Sequence, residues 1–437
     1  MTGHEQRKPR VCGRSSGIMN VDGMHQQVLS FLRPLQGEAL ELLKRLVEIQ
    51  SGSRNKPGLD RMAGTMAEVL GTILPQVLIV PFDDHGNMVQ AATSAATAGR
   101  KGFLLAGHMD TVFPEDTTLT TYREDDQHCY GPGVYDMKGG LVVGVYALKA
   151  LKHLGMLEDM PVTFLCNSDE EIGSPASRPW IEEHSGGCLA ALVLEGGGLN
   201  REVVTGRKGR MGLRLVVRGR AGHAAKGGPK ASAVLELAHK IIALERLNDD
   251  AEITLNVGRV EGGIGPNTVS ERAEALIDVR FLTPTGQDLA RQQIEAIVQT
   301  ANVSGTSCES LVVAGRPAMP QSRANRGVFF EARRQARLLG YELPEELRFG
   351  VSDANFIAGQ GVPVLDGLGP IGDQDHSDRE YILKQSVVER AALVAATLIG
   401  LRRDQAKVLF DKTGSFLHKG TAKSMLVCFG LMCNPFY

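Results

Sequence analysis

The chain has 437 residues, enough for two or three domains and a large core. Hydrophobic residues at 43% and charged residues at 22% are ordinary for a globular protein; the net charge of −2, with no basic stripe beyond Arg207-Lys208-Gly209-Arg210, argues against a nucleic-acid partner. Seven scattered cysteines without a C-x-x-C pair argue against a disulfide framework or a structural zinc knuckle and for a reducing compartment, the cytoplasm, and no run of roughly 18 apolar residues offers a membrane span.

Residues 1–24 are basic and polar without an apolar core, so they read as a disordered N-terminus and not as a secretory signal. Apolar residues from Val28 to Ile49 recur at helical spacing, with Pro34 breaking the helix in two. A second amphipathic helix covers 59–74. Strands follow at Val77–Val80 and Asn87–Ala91, joined by the turn Asp83-Asp84-His85-Gly86. The apolar run Phe103–Ala106 is a buried strand, and it leads into Gly107-His108-Met109-Asp110-Thr111-Val112. His108 and Asp110 are two residues apart, so in extended chain they point the same way. A long polar loop, 114–128, ends in Gly131-Pro132-Gly133-Val134-Tyr135-Asp136-Met137-Lys138-Gly139-Gly140, with Asp136 just before a helix from about 139 to 154. The strand Pro161–Cys166 runs into Asp169-Glu170-Glu171, and the strand Leu189–Leu194 into Glu195-Gly196-Gly197-Gly198. Three strand ends therefore carry His/Asp, Glu/Glu and Glu, at the end of the strands where open α/β sheets bind ligands.

From about Gly206 the character changes. Strands at 211–219, 252–260, 271–282 and 308–315 and helices at 229–246 and 285–302 give the order βαββαβ, a ferredoxin-like unit. After Pro317 the first character resumes, with helices at 325–339 and 385–401, a short strand at Pro363–Leu365, and a polar loop holding Asp375-His376-Ser377-Asp378. The sequence thus predicts an α/β catalytic domain with a mixed sheet flanked by helices. It is built from 25–205 and 318–405, with a lid unit inserted at 206–317. The tail 406–437 fits neither part.

His108, Asp136, Glu170, Glu171, Glu195 and His376 are hard or borderline ligands, and more than one tetrahedral zinc needs. They suit two divalent metals sharing one carboxylate, about 3.5–4 Å apart, with one acid left over as a base.

The stretches around His108, Asp136 and Glu170 resemble, in this order and spacing, the three signatures of the co-catalytic zinc metallopeptidases. These include glutamate carboxypeptidases, aminoacylases, acetylornithine deacetylase and succinyl-diaminopimelate desuccinylase. The resemblance covers about residues 25–403. It implies two divalent ions per subunit, zinc or else cobalt or manganese: one on His108 and Glu195, the other on Glu171 and His376, with Asp136 bridging. It further implies that Asp110 orients His108 and that Glu170 is the general base. His223, in Arg218-Gly219-Arg220-Ala221-Gly222-His223, resembles the family's lid histidine, which donates to the oxyanion, typically in the partner subunit. Asn267, Arg280 and Arg316 sit where relatives place lid-side polar contacts, and an arginine fork suits a substrate carboxylate. Gly315-Arg316-Pro317 and the His-Ser-Asp-x-Glu-Tyr around His376 lean toward the glutamate carboxypeptidase branch. The implied activity is amide hydrolysis of a small peptide or N-acyl amino acid, releasing C-terminal glutamate or a similar residue. N-acyl-amino-acid deacylation and a catalytically silent peptide binder are the alternatives. The exposed edges of the lid sheet imply a homodimer through the lid.

Overall fold

The structure is a computed structural model that describes residues 23–249 and 252–417. The six-stranded main sheet has the order Gln76–Val80, Met88–Ala92, Val162–Asn167, Phe103–His108, Ala190–Val193, Val364–Leu365. The first two strands pair antiparallel, and Met88–Ala92 runs antiparallel to Val162–Asn167; the last four strands are parallel. Phe103–His108 lies between two parallel neighbours, and all six of its residues are buried. That explains its unbroken apolar run. Alternation still sorts its side chains. Phe103 and Leu105 join the larger core, and Leu104 and Ala106 the smaller core on the opposite face.

The larger core is roofed by the helices Gly139–His153 and Lys384–Leu417, which pack on each other, with Met24–Leu32, Gln36–Val47 and Arg323–Leu339 around them. As expected, Pro34 separates the first two helices, within a 3-10 turn. Asn55 starts the helix Lys56–Gly71, its side-chain oxygen accepting from Gly58 N at 3.0 Å. Two expectations shift at the ends. Met24, assigned to the N-terminal tail, is buried in the first helix, while 1–22 lie outside the described residues. The last helix, expected to stop at 401, runs to Leu417; the rest of the expected tail, 418–437, is also outside the described residues.

The βαββαβ order is present. Gly209–Arg218, Ala233–Glu245, Ile253–Gly262, Arg272–Phe281, Pro284–Gln299 and Ser307–Arg316 build an antiparallel sheet with the first and third strands central. Met211, Leu213, Leu215 and Val217 point into a separate core under the two helices. The intervening residues Arg210, Arg214 and Arg218 face out and pair with Asp278, Glu274 and Glu309. Two small pairings escape the sequence periodicity. Val203–Arg207 pairs parallel with Glu345–Arg348. Gly372–Asp373, Tyr381–Leu383, His128–Tyr130 and Arg123–Glu124 form a second four-stranded sheet. That small sheet lays the His376 loop beside the Gly131–Lys138 segment.

Candidate metal centre

Each acid or histidine of the site sits where a regular element stops. His108 ends its strand, and its ring Nδ1 lies 3.0 Å from the Asp110 carbonyl oxygen and 3.3 Å from Asp110 Oδ1. A carbonyl can only accept, so Nδ1 carries a proton and Nε2 is the nitrogen turned toward the acids. Asp110 is fully buried. Its Oδ1 accepts from Glu170 N and its Oδ2 from Glu171 N, both at 3.1 Å, and Ser53 Oγ donates to Oδ2 at 2.7 Å. One carboxylate thus ties the end of the His108 strand to the start of the Glu170–Ile172 turn.

Asp136 is not the plain helix cap its position suggests. It lies in an irregular turn, Val134–Lys138, entered through Gly133 at φ +77° and closed by Lys138 N donating to Gly133 O at 2.7 Å. The Asp136–Met137 peptide bond is cis. Glu380 holds this turn from beneath. Its Oε2 accepts from Gly133 N at 2.8 Å, and its Oε1 from Tyr135 N at 2.8 Å and Asp136 N at 2.9 Å. Asp136 then faces two imidazoles: Oδ1 is 2.9 Å from His108 Nε2, and Oδ2 is 3.2 Å from His376 Nε2. Glu195 Oε1 is 3.7 Å from His108 Nε2, and Glu171 Oε2 is 3.4 Å from His376 Nε2. His376 reaches this point from a tight turn in which Gln374 and His376 both adopt left-handed backbone, rare for residues with a side chain.

The electrostatics follow from packing acids with histidines out of water. Burial works against the Asp136 charge, but hydrogen bonds from His108 and His376 hold its carboxyl well below the usual range. Hydrogen bonds to Asp136 and Glu171 push His376 up to about 11. Burial opposes the charge on His108, yet bonds to Asp110 and Asp136 raise it well above the ordinary value. Burial, then the Asp136 charge, raises Glu195, and burial pushes Glu170 up to about 8 against the pull of Arg316.

This donor set fits divalent metal. Glu171 Oε1 is buried with no hydrogen-bond partner, and His108, Asp136 and Glu171 offer atoms close enough to share one ion. Asp136, His376 and Asp375 form a second such group. The sequence gives neither Asp375 nor Glu380, both in the polar loop around His376, a role of its own. An acid in a polar loop carries no local mark of which backbone or ion it will meet.

The lid residues divide. Gly222–His223 pairs with Thr268–Val269, and Ala224 N donates to Asn267 O at 2.9 Å, so His223 and Asn267 are neighbours. His223 Nδ1 accepts from Ala225 N at 3.2 Å, which leaves Nε2 as the donor. Arg280 Nε pairs with Asp278 at 2.6 Å on the open face of the lid sheet. Among the described residues, none of these three makes a hydrogen bond or ion pair with the histidine–carboxylate cluster. Arg316 does, but through an acid of the site itself: its Nη2 is 2.9 Å from Glu170 Oε1, and the residue is 5% exposed.

A mixed sheet whose parallel strand ends gather His108, Glu170, Glu171 and Glu195, with Asp136 brought in from a turn and His376 from a loop, plus an inserted βαββαβ unit, is the arrangement of a metal-dependent hydrolase. Residues 104–400 match Peptidase family M20/M25/M40, and the chain belongs to that family. It is a metal-dependent peptidase of that group. Carboxypeptidase G2 from Pseudomonas sp. (strain RS-16) is 28% identical over 374 residues, 83% of this chain and 89% of that protein. Succinyl-diaminopimelate desuccinylase from Nitrosococcus oceani is 26% identical over 367 residues, 78% and 93% of the two chains. The fold is shared with aminopeptidase PepT from Bacillus cereus (TM-score 0.68, 21% identity, 84% of this chain and 99% of that one). It is shared too with the M20 family metallo-carboxypeptidase Sso-CP2 from Sulfolobus solfataricus (TM-score 0.62, 19% identity, 83% and 99%). Among the described residues no helix is long and apolar enough to cross a membrane.

Proposed function

We propose that the chain is a two-metal carboxypeptidase that releases glutamate, or a residue like it, from the C-terminus of a small peptide or N-acyl substrate. The observation that carries this is the Asp136 carboxylate, whose two oxygens face two different imidazoles at 2.9 and 3.2 Å. His108 and Glu195 would hold one zinc, Glu171 and His376 the other, and Asp136 both. Bound there, the ions supply Lewis acidity to a water and to the scissile carbonyl. The chain's own residues do the rest. Asp110 keeps the proton on His108 Nδ1 and so aims Nε2. Glu170 takes a proton from the attacking water and passes it to the leaving amine. His223 Nε2, on the lid, donates to the oxyanion, and Asn267 and Arg280 contact the substrate. The likeness to Carboxypeptidase G2 supports the carboxypeptidase reading. The likeness to succinyl-diaminopimelate desuccinylase favours N-acyl-amino-acid deacylation as the second.

Homodimerisation through the lid completes the reading. The outer strand Ser307–Arg316 exposes Leu311, Val312 and Val313 in a row, and the opposite edge exposes Val260. The cytoplasm is the proposed compartment, since Cys129, Cys166, Cys188 and Cys308 are unpaired.

The test is hydrolysis of N-acyl-glutamates, N-acetyl amino acids and dipeptides with added zinc or cobalt. Preference for glutamate at the C-terminal side is expected, while preference set by the acyl group would favour the deacylase. Glu170→Gln should keep its metal and lose about 10²–10⁴-fold in kcat. Full turnover by that variant would remove Glu170 as the base.

A further inference from the structure

We propose that Arg316 is a positioning residue for Glu170 and not a fork for a substrate carboxylate; this rests on Glu170 being the base. Both terminal nitrogens of the guanidinium are already engaged. Nη1 donates to Asp353 Oδ1 at 2.7 Å. Nη2 meets Glu170 Oε1 at 2.9 Å, the Glu170 carbonyl at 3.0 Å and Ser174 Oγ at 3.2 Å. Its flat face stacks over Phe356, 4.7 Å from the ring centroid.

The acids it holds are themselves fixed. Ser174 Oγ donates to Asp353 Oδ1 at 2.5 Å, and Asn167 Nδ2 to Asp353 Oδ2 at 2.8 Å. Asn167 ends the strand that delivers Glu170, and Ser174 follows the Glu170–Ile172 turn. Arg316, Asp353 and Ser174 therefore close on one another, and Glu170 joins them through Arg316. Glu170 Oε1 lies in ion-pair contact with this anchored guanidinium.

A substrate carboxylate would need two parallel N–H groups of the same guanidinium. Admitting it would break the contacts to Glu170 or Asp353 and bring three carboxylates to one cation with almost no water. Stripping a partner from a buried ion pair is costly. Arg316 also closes the lid's return strand, opposite Arg210 in the sheet, so the base is held by the residue at which the inserted unit rejoins the rest of the chain.

The experiment compares wild type, Arg316→Met, Arg316→Lys, Asp353→Asn and Glu170→Gln, each zinc-loaded with metal content measured. The substrates are the N-acyl amino acid of the panel above that turns over fastest and the same compound with its α-carboxylate converted to the amide. Arg316→Met should keep the wild-type metal content and KM within about twofold, and lose about 10²-fold in kcat. The ratio of kcat/KM for acid over amide should not move. Asp353→Asn should show the same split at smaller size, and Arg316→Lys should recover part of kcat. A KM rise of about tenfold or more with kcat retained, or loss of the acid-over-amide ratio, would overturn the proposal in favour of the fork. A second readout needs no turnover. In chelated protein, the shifts in denaturation midpoint of Arg316→Met and Glu170→Gln should be non-additive in the double variant, and additivity would overturn the contact. Should Arg316→Met fail to fold, the lysine and Asp353→Asn variants decide by the same split. Wild-type turnover by Glu170→Gln would instead remove the base assignment, a different failure from any of these.

Discussion

Glu380→Gln tests how Asp136, the proposed shared ligand, is held. The Glu380 carboxylate is buried and accepts three backbone N–H groups, from Gly133, Tyr135 and Asp136, at 2.8 to 2.9 Å. Glutamine keeps the shape but has one acceptor oxygen. In its best orientation it retains the bonds to Tyr135 and Asp136 and turns an amide N–H toward Gly133 N–H, donor against donor. One hydrogen bond to a charged group contributes about 1.5–3 kcal/mol, and the two that remain fall to the strength of neutral bonds, roughly half. These losses come to about 3–6 kcal/mol, but burial pushes the Glu380 carboxyl up to about 7, so relief of the buried charge offsets part of them and the expected net loss is about 2–3 kcal/mol, against a typical domain's total of about 5–15 kcal/mol. The turn so loosened carries Asp136, so metal affinity should fall about 10–100-fold, as for other outer partners of metal ligands. Urea denaturation of chelated protein, followed by far-ultraviolet circular dichroism, reads the first effect as a lower midpoint. Zinc titration with a competing chelator reads the second. A midpoint within about 1 kcal/mol of wild type together with unchanged affinity would refute the claim that Glu380 builds this turn.

Three further outcomes are expected. In Gly140→Ala the new Cβ would lie 1.8 Å from the Leu194 carbonyl oxygen, a backbone atom that cannot swing aside, so the helix must shift off the Glu195 strand; a cost of about 2–3 kcal/mol in thermal unfolding is expected, with reduced metal content. Hydrogen bonds to Asp136 and Glu171 push His376 up to about 11, and bonds to Asp110 and Asp136 raise His108 against its burial, so the metal-free site favours the protonated imidazoles. Metal uptake must therefore release protons, and affinity must rise with pH; calorimetry in buffers of different ionisation enthalpy counts them, and zero released would contradict the hydrogen-bonded geometry. Glu171→Gln removes a proposed ligand whose Oε1 has no hydrogen-bond partner, so bound metal per chain, measured by elemental analysis, should drop while the urea midpoint of the chelated protein holds or rises, since burial disfavours that charge.

The elements were largely legible along the chain, because helix and strand periodicities are local. The buried run Phe103–Ala106, the break at Pro34 and the βαββαβ order all follow from spacing. The cluster was legible in outline for a related reason: parallel strands bring their ends to one edge, so acids and a histidine closing apolar runs must gather there. His108, Glu170, Glu171 and Glu195 belong to that logic. His376 does not: it closes no apolar run, and its residue type in a polar loop put it in the set while the resemblance gave it a role. Its approach depends on a small sheet pairing Tyr381–Leu383 with His128–Tyr130, residues too few to leave a periodic signal.

What only the tertiary structure decided is which charge meets which. Arg316 and Arg280 look alike as strand arginines, yet one is sealed against Glu170 and Asp353 and the other lies beside Asp278 on an open face. Glu380 and Asp378 share a polar loop, yet Glu380 turns inward to three amides. Hydrophobic pattern determines which face of an element is buried, but a polar side chain's partner is set by contacts across long separations in the chain, and those exist only once the layers have packed.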